Sequence, residues 1–380
     1  MAGESEVAVV ASLAAAVFVL SIGGLQRAVR RRRSGGALAR LCARLPKVEL
    51  HAHLHGCARL STIAALAPDG VDTSCLKPIH ESDRSLESCF AIFGVIHKTV
   101  TNSAAVRRIT LEVLADFAAD GVRYIELRST PRALSDADVS GYVDCVLDAF
   151  SSFEQSQADA GVTWPLMPRL LLSIDRTGSL EKAMATVRLA LAKRQSGGSH
   201  GHYLVGIDFS GNPTRGSFAD FLPAFELARS GGLATAVHVG EVDHTADTEA
   251  VLAFRPERLG HALTLDPSQI ARLVERSIPV EICPTSNMKT MHLTALEAHP
   301  TLPTWIAAAY PFSINTDDST VFETTSSREL RLVAEAFYLP PETLVALCLG
   351  GLKHAFETDT QKLRQLHKRF SSESEQVCPC

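Results

Sequence analysis

The sequence has no excess of basic residues: 37 Lys and Arg stand against 42 Asp and Glu, leaving a formal charge of -5. Binding to a phosphate backbone draws on a basic face, so nucleic acid is excluded as a main partner. The nine cysteines run from Cys42 to Cys380 and show no zinc-ribbon spacing. An odd, scattered set fits reduced thiols in a cytoplasmic chain better than a disulfide framework. The terminal Cys-Pro-Cys has no cysteine four residues from the end, which excludes prenylation and leaves a frayed tail. No glycine-rich turn follows the first apolar run, so the signature of a dinucleotide-binding open sheet is missing.

What the chain does have is apolar residues, 46% of 380, with only 21% charged. That is enough for two average domains or one large barrel. Residues 1–36 stand apart. Val7 to Leu25 carries no charge over 19 residues, near the lower limit of a membrane span. The arginines follow this run, and only Glu4 and Glu6 precede it. A cleaved secretory signal has the opposite order. The positive-inside rule would leave the remainder in the cytosol. Three readings stand: a cytosol-facing membrane anchor through 7–25, a dispensable extension, or an organelle-targeting peptide.

From Ala37 to about residue 370 short apolar runs alternate with longer amphipathic stretches. The runs are Lys47–His53, Arg123–Arg128, Arg169–Ile174, Leu204–Phe209, Ala234–Val239, Arg258–His261, Val280–Cys283 and Phe312–Asn315. Between them lie segments such as AAVRRITLEVLADFAADG, with an apolar stripe at helical spacing and a closing glycine. Eight such alternations predict an α/β fold, a (β/α)8 TIM-type barrel with extra helices after strand one. Residues 371–380 are expected to form a disordered tail.

In a barrel the reactive groups gather at the C-terminal strand ends, and the unusual polar residues fall there. VELHAHLHG closes strand one with His51, His53 and His55, which share one face of an extended chain. Ser129, Thr130, Pro131 and Arg132 follow strand two, and Asp175 follows strand three. His238 and Glu241 end strand five, His261 strand six, and Asp317 with Asp318 strand eight. His51, His53, His238 and Asp317 have the donor types of a hydrolytic zinc site with one position open for water. The fourth strand end reads Asp208-Phe209-Ser210-Gly211, without a bridging lysine, so one Zn2+ per chain is expected. Glu241 can donate a proton, His261 can orient hydroxide or take its proton, and Asp318 can hydrogen-bond to substrate. Alone, an HxH pair could be a polar strand end, STPR a turn and Asp-Asp a helix cap. Their coincidence on successive strands outweighs those readings.

The motifs ELHAHLHG, GIDFSGNP, AVHVGE, RLGHA and SINTDD resemble the adenosine deaminase family in order and spacing, from about Pro46 to Phe356. FAIFGVIHK, YIELRSTPR, LLLSIDR and EICPTSN resemble its adenosine deaminase-like branch, which acts on N6-methyl-AMP. The resemblance implies zinc on His51, His53, His238 and Asp317, with Glu241, His261 and Asp318 catalytic. It implies a substrate site of His53, His55, His97, Ser129 to Arg132, Asp175, Gly211 and Asp318. The implied reaction is N6-methyl-AMP plus water to IMP and methylamine, by a monomer whose partner is a purine nucleotide.

His55 departs from that pattern. Nucleoside enzymes place aspartate there and the nucleotide branch asparagine, whereas histidine can donate to a 5'-phosphate and carry part of a positive charge. Ala262 stands where glycine often follows the catalytic histidine, and Asn212 where an acidic residue is usual. Adenosine or AMP deamination and a cyclic-amide hydrolase are the alternative enzymes. An inactive membrane-tethered nucleotide-binding barrel is the alternative of another class. Such a barrel would be expected to lose a ligand or Glu241, and all are present.

Overall fold

The run KVELHAH forms the first strand, β1 (Lys47–His53), and is almost wholly buried. Val48, Leu50 and Ala52 alternate along it with Lys47, Glu49, His51 and His53, so one face of the strand is apolar and the other polar. The computed structural model describes residues 36–76, 86–195 and 200–377. The segment 7–25 considered as an anchor lies outside the described residues. Among those described, no helix is long and apolar enough to cross a membrane.

The other strands are β2 (Val122–Ser129), β3 (Met167–Asp175), β4 (Leu204–Ser210), β5 (Ala234–Val239), β6 (Arg258–His261), β7 (Val280–Ile282) and β8 (Phe312–Ile314). Each pairs in parallel with the next, in the order β1 to β8. The ring is drawn together by a bridge between Ala52 and Asp317. There the Asp317 N–H donates to the His51 carbonyl at 2.9 Å and the His53 N–H to the Asp317 carbonyl at 3.0 Å. The fold is therefore the expected (β/α)8 barrel. Its extra helices after β1 are Leu60–Leu66, a short turn at Ser74–Leu76, and Leu86–Thr99 ahead of Ser103–Ala119.

Local chemistry sets the helices. Ser103–Ala119 begins where the Asn102 side chain accepts the Ala105 N–H, and it buries Val106, Ile109, Val113, Leu114 and Phe117. That is the three- and four-residue spacing of one face. Pro267–Arg276 starts on a capping box of Asp266 and Gln269. β7 stops one residue earlier than expected because Cys283 is the cap of Pro284–Thr290, whose first residue is proline. The C-terminal expectation needs a larger correction. Residues 371–377 continue the helix Thr360–Val377 rather than forming a disordered tail, because Leu366, Phe370 and Ser374 make one buried stripe. Residues 378–380 lie outside the described residues.

The barrel interior carries charge. Glu126 and Arg128 alternate inward on β2, Asp208 on β4, Arg258 on β6 and Glu281 on β7, all fully or almost fully buried. Arg128 donates to Asp208 at 2.7 Å and to Glu281 at 2.5 Å. Arg258 donates to Glu281 and Glu126, both at 2.5 Å. Removing one partner from such a lattice costs about 3–5 kcal/mol, because it strands a buried charge.

Candidate active site

β1 delivers His51 and His53 to the same side of the barrel mouth, β5 delivers His238, and the bend after β8 delivers Asp317. His51 Nδ1–H donates to Glu281 Oε2 at 2.7 Å, which turns its Nε2 toward the other ligand candidates. Asp208 Oδ1 lies 3.2 Å from His238 Nδ1, behind that ring as Glu281 is behind His51. His53 Nε2 and His238 Nε2 stand 3.2 Å apart. Asp317 Oδ1 is 3.4 Å from both His51 Nε2 and His53 Nε2. The buried His51 Nε2 has no hydrogen-bond partner among the described residues. Imidazole and carboxylate donors so crowded, one of them orphaned, fit a metal ion at their centre. A carboxylate behind each of two imidazoles is the usual means of orienting such ligands.

The backbone is strained where the chemistry sits. His261 and Asp317 both have positive φ, at 61° and 63°, and Ala262 follows at 52°. Such conformations persist only where surrounding structure enforces them. Here the Ala262 N–H donates to the Val239 carbonyl at 3.0 Å and locks the end of β6 onto β5. Gly56 has another constraint. A Cβ there would meet Asp318 Oδ1 at 1.7 Å, so the glycine that ends VELHAHLHG makes room for Asp318.

Glu241 Oε2 lies 3.8 Å from His261 Nε2. Burial pushes the Glu241 carboxyl up to about 7, which keeps a proton on it near neutral pH. Burial and the neighbouring Asp317 and Glu241 raise Asp318 well above the usual carboxylate range. A cavity of about 400 Å³ opens above these groups, within the rough 300–1,000 Å³ range of small-molecule sites. His53, His55, His97, Ser129, Thr130, Arg132, Asp175, Gly211, His238, Glu241, His261, Asp317 and Asp318 all line it. His51 lies beneath, fully buried.

Two expectations are corrected. Pro131 is not among the residues that line the cavity, whereas Thr130 and Arg132 on either side of it are. His55 does not carry the positive charge either. Burial, then the charges of Arg132 and His97, hold it well below its usual range. Its Nε2 accepts from Arg132 at 2.8 Å, so the cation at that end of the cavity is Arg132. Stacking on Tyr142, at 6.2 Å and 14°, fixes the His55 ring.

With this geometry in place, comparison with known proteins is direct. Residues 46–370 match the family model described as adenosine deaminase. The chain belongs to the adenosine deaminase family. It is an aminohydrolase. It is 36% identical over 353 residues to the N6-mAMP deaminase of Arabidopsis thaliana, covering 87% of this chain and 97% of that protein. It is 35% identical over 346 residues to the N6-methyl-AMP deaminase of Danio rerio, covering 88% and 96%. The crystal structure of arabidopsis ADAL complexed with IMP matches with a TM-score of 0.80 at 35% identity, over 88% of this chain and 99% of that one.

Sequence reasoning missed the roles of Asp208, Glu281 and Arg128. The available signal was a charged residue inside an apolar run, as in VEIC or IELRS, where packing alone would place a hydrophobe. Arg128, Asn212, Pro213 and Thr177 also line the cavity and were not singled out as substrate contacts.

Proposed function

We propose that the protein hydrolyses N6-substituted purine nucleotides, with N6-methyl-AMP the preferred substrate and IMP and methylamine the products. The observation that carries this reading is the pairing of two ends in one cavity. Glu241, protonated near neutral pH, faces the histidine and carboxylate cluster. Arg132, held by His55 and by the Val100 carbonyl at 3.1 Å, stands on the same wall system. A cation there suits a 5'-phosphate and gives nothing to a nucleoside's hydroxyl that a carboxylate would not give better. The relatives' names, which specify N6-methyl-AMP, favour the same substrate.

His51, His53, His238 and Asp317 would hold one Zn2+. When bound, zinc lowers the pKa of water from about 15.7 to about 7. The chain's own groups do the rest. Glu241 delivers its proton to ring N1 as C6 becomes tetrahedral, which removes the charge that would otherwise build on the ring. Asp318, with an Oδ1 that is buried and unpartnered among the described residues, holds a proton or polar edge beside the reacting carbon. His261 positions the attacking oxygen. Ser129, Thr130, Asp175 and Gly211 would hold the ribose and base, with His97 at the rim.

The test is turnover of N6-methyl-AMP, AMP, N6-methyladenosine and adenosine by zinc-quantified protein. Faster turnover of N6-methyl-AMP than of either nucleoside is expected. Preference for adenosine would overturn the role given to Arg132, and preference for AMP would overturn the substituent.

A further inference from the structure

We propose that Asn287 and His299 are positioning residues that fix the neutral ring of His261 with its proton on Nε2. His261 then meets the attacking oxygen as a hydrogen-bond donor and not as the group that takes its proton. The proposal deepens the function above and rests on it only for the identity of the reaction.

The chain of bonds starts at groups that cannot be turned around. The backbone N–H groups of Thr301 and Leu302 both point at His299 Nδ1, at 3.3 and 3.0 Å. A backbone N–H can only donate, so Nδ1 accepts, and the proton of the neutral ring is on Nε2. His299 is buried, which pushes it down to about 4, and among the described residues it has no carboxylate partner, so its ring is neutral. Its Nε2–H therefore donates to Asn287 Oδ1 at 3.2 Å. A second fixed donor, the Cys283 N–H, reaches the same oxygen at 3.3 Å. The Asn287 amide is thus oriented twice over. Its Nδ2–H donates to His261 Nδ1 at 3.1 Å. A ring nitrogen that accepts carries no proton, so neutral His261 carries its proton on Nε2, on the cavity side, 3.8 Å from Glu241.

The opposite tautomer would require Asn287 to flip. Its NH2 would then face two donors, His299 Nε2–H and Cys283 N–H, and leave buried polar groups unpaired, each at the cost of its desolvation. Neither Asn287 nor His299 lines the cavity. Both act through the ring of His261, much as a carboxylate fixes the tautomer of a catalytic histidine elsewhere.

Two measurements test this on the full chain. The first is 15N-edited NMR of histidine-labelled protein, with His261 assigned by its loss in His261→Gln. The expected signal is a protonated Nε2 and a bare Nδ1; a protonated Nδ1 in the wild type would overturn the proposal. The second is kinetics of Asn287→Asp, whose carboxylate accepts at both ends and pulls the His261 proton onto Nδ1. There kcat should fall by roughly 10²–10⁴-fold, with KM within about twofold and bound zinc unchanged. His299→Leu should weaken kcat and His299→Gln, which still donates to Asn287 Oδ1, should recover most of the loss. An Asn287→Asp variant with wild-type kcat would sink the idea. The NMR result does not depend on the substrate, so an error in the proposed function leaves it standing. A Nδ1–H ring in a protein that turns over N6-methyl-AMP fails this proposal alone.

Discussion

Glu281 accepts the Nδ1–H of His51 at 2.7 Å while its two oxygens also receive Arg128 and Arg258. One carboxylate therefore orients a ligand candidate and, together with Asp208 and Glu126, balances two buried guanidinium groups. Glu281→Gln keeps an acceptor and should weaken zinc binding about 10–100-fold in a chelator competition. Glu281→Ala should in addition destabilise the fold by about 3–5 kcal/mol, read from denaturant unfolding. Unchanged zinc affinity in the glutamine variant would show that His51 is oriented by other means.

Glu241 titrates at about 7 because it is buried. The donor works in its protonated form, and each unit of pH above that value removes about nine-tenths of it. We expect kcat to fall above pH 7 as this proton is lost. Glu241→Gln should reduce kcat roughly 10²–10⁴-fold, with zinc content and nucleotide binding retained. A pH profile that rises through this range would assign the limb to another group.

Gly56 and Asp318 share a space that a methyl group would fill. Gly56→Ala should therefore act as an active-site mutation although residue 56 bears no functional group. Displacing a positioned carboxyl by about 1 Å can cost about 10²-fold in rate. Steady-state kinetics and a crystal structure of the variant would check both the loss and its cause.

Arg132 is the cation that the nucleotide reading depends on. Arg132→Met should lower kcat/KM for N6-methyl-AMP by roughly 10–100-fold, the value of a charge-assisted hydrogen bond. For N6-methyladenosine the change should stay within about threefold. Equal losses on both would place Arg132 in the fold of the loop and not at the phosphate.

Ala262 has a φ of 52° that glycine adopts freely. Ala262→Gly should raise stability by up to about 1 kcal/mol, the relief of left-handed strain partly offset by the entropy of a freer unfolded chain. Thermal unfolding measures it directly. A lower melting temperature would mean that the methyl group packs in a way that outweighs the strain.

The barrel and its mouth were legible in the sequence because both follow short-range rules. Apolar runs at strand length gave the eight strands, and His53, His238 and Asp317 stand where strand ends must face one another. The second layer was not legible. Nothing local in VEIC says that Glu281 reaches across the barrel to His51, since that contact depends on closure. His55 was misjudged for the same reason: burial in the closed barrel, then Arg132 and His97, neighbours distant in the chain, hold its ring neutral. The continuation of the last helix past Ser371 depended on Phe370 and Ser374 finding a surface to bury against, which polarity alone hides.

The bridge between Ala52 and Asp317 ties the first strand to the last. During synthesis the histidines of β1 leave the ribosome long before Asp317 does. Nascent or truncated chains that lack β8 consequently hold imidazoles without their closing carboxylate. Activity should thus switch on only once the last strand has closed against the first, so that turnover reports a completed barrel.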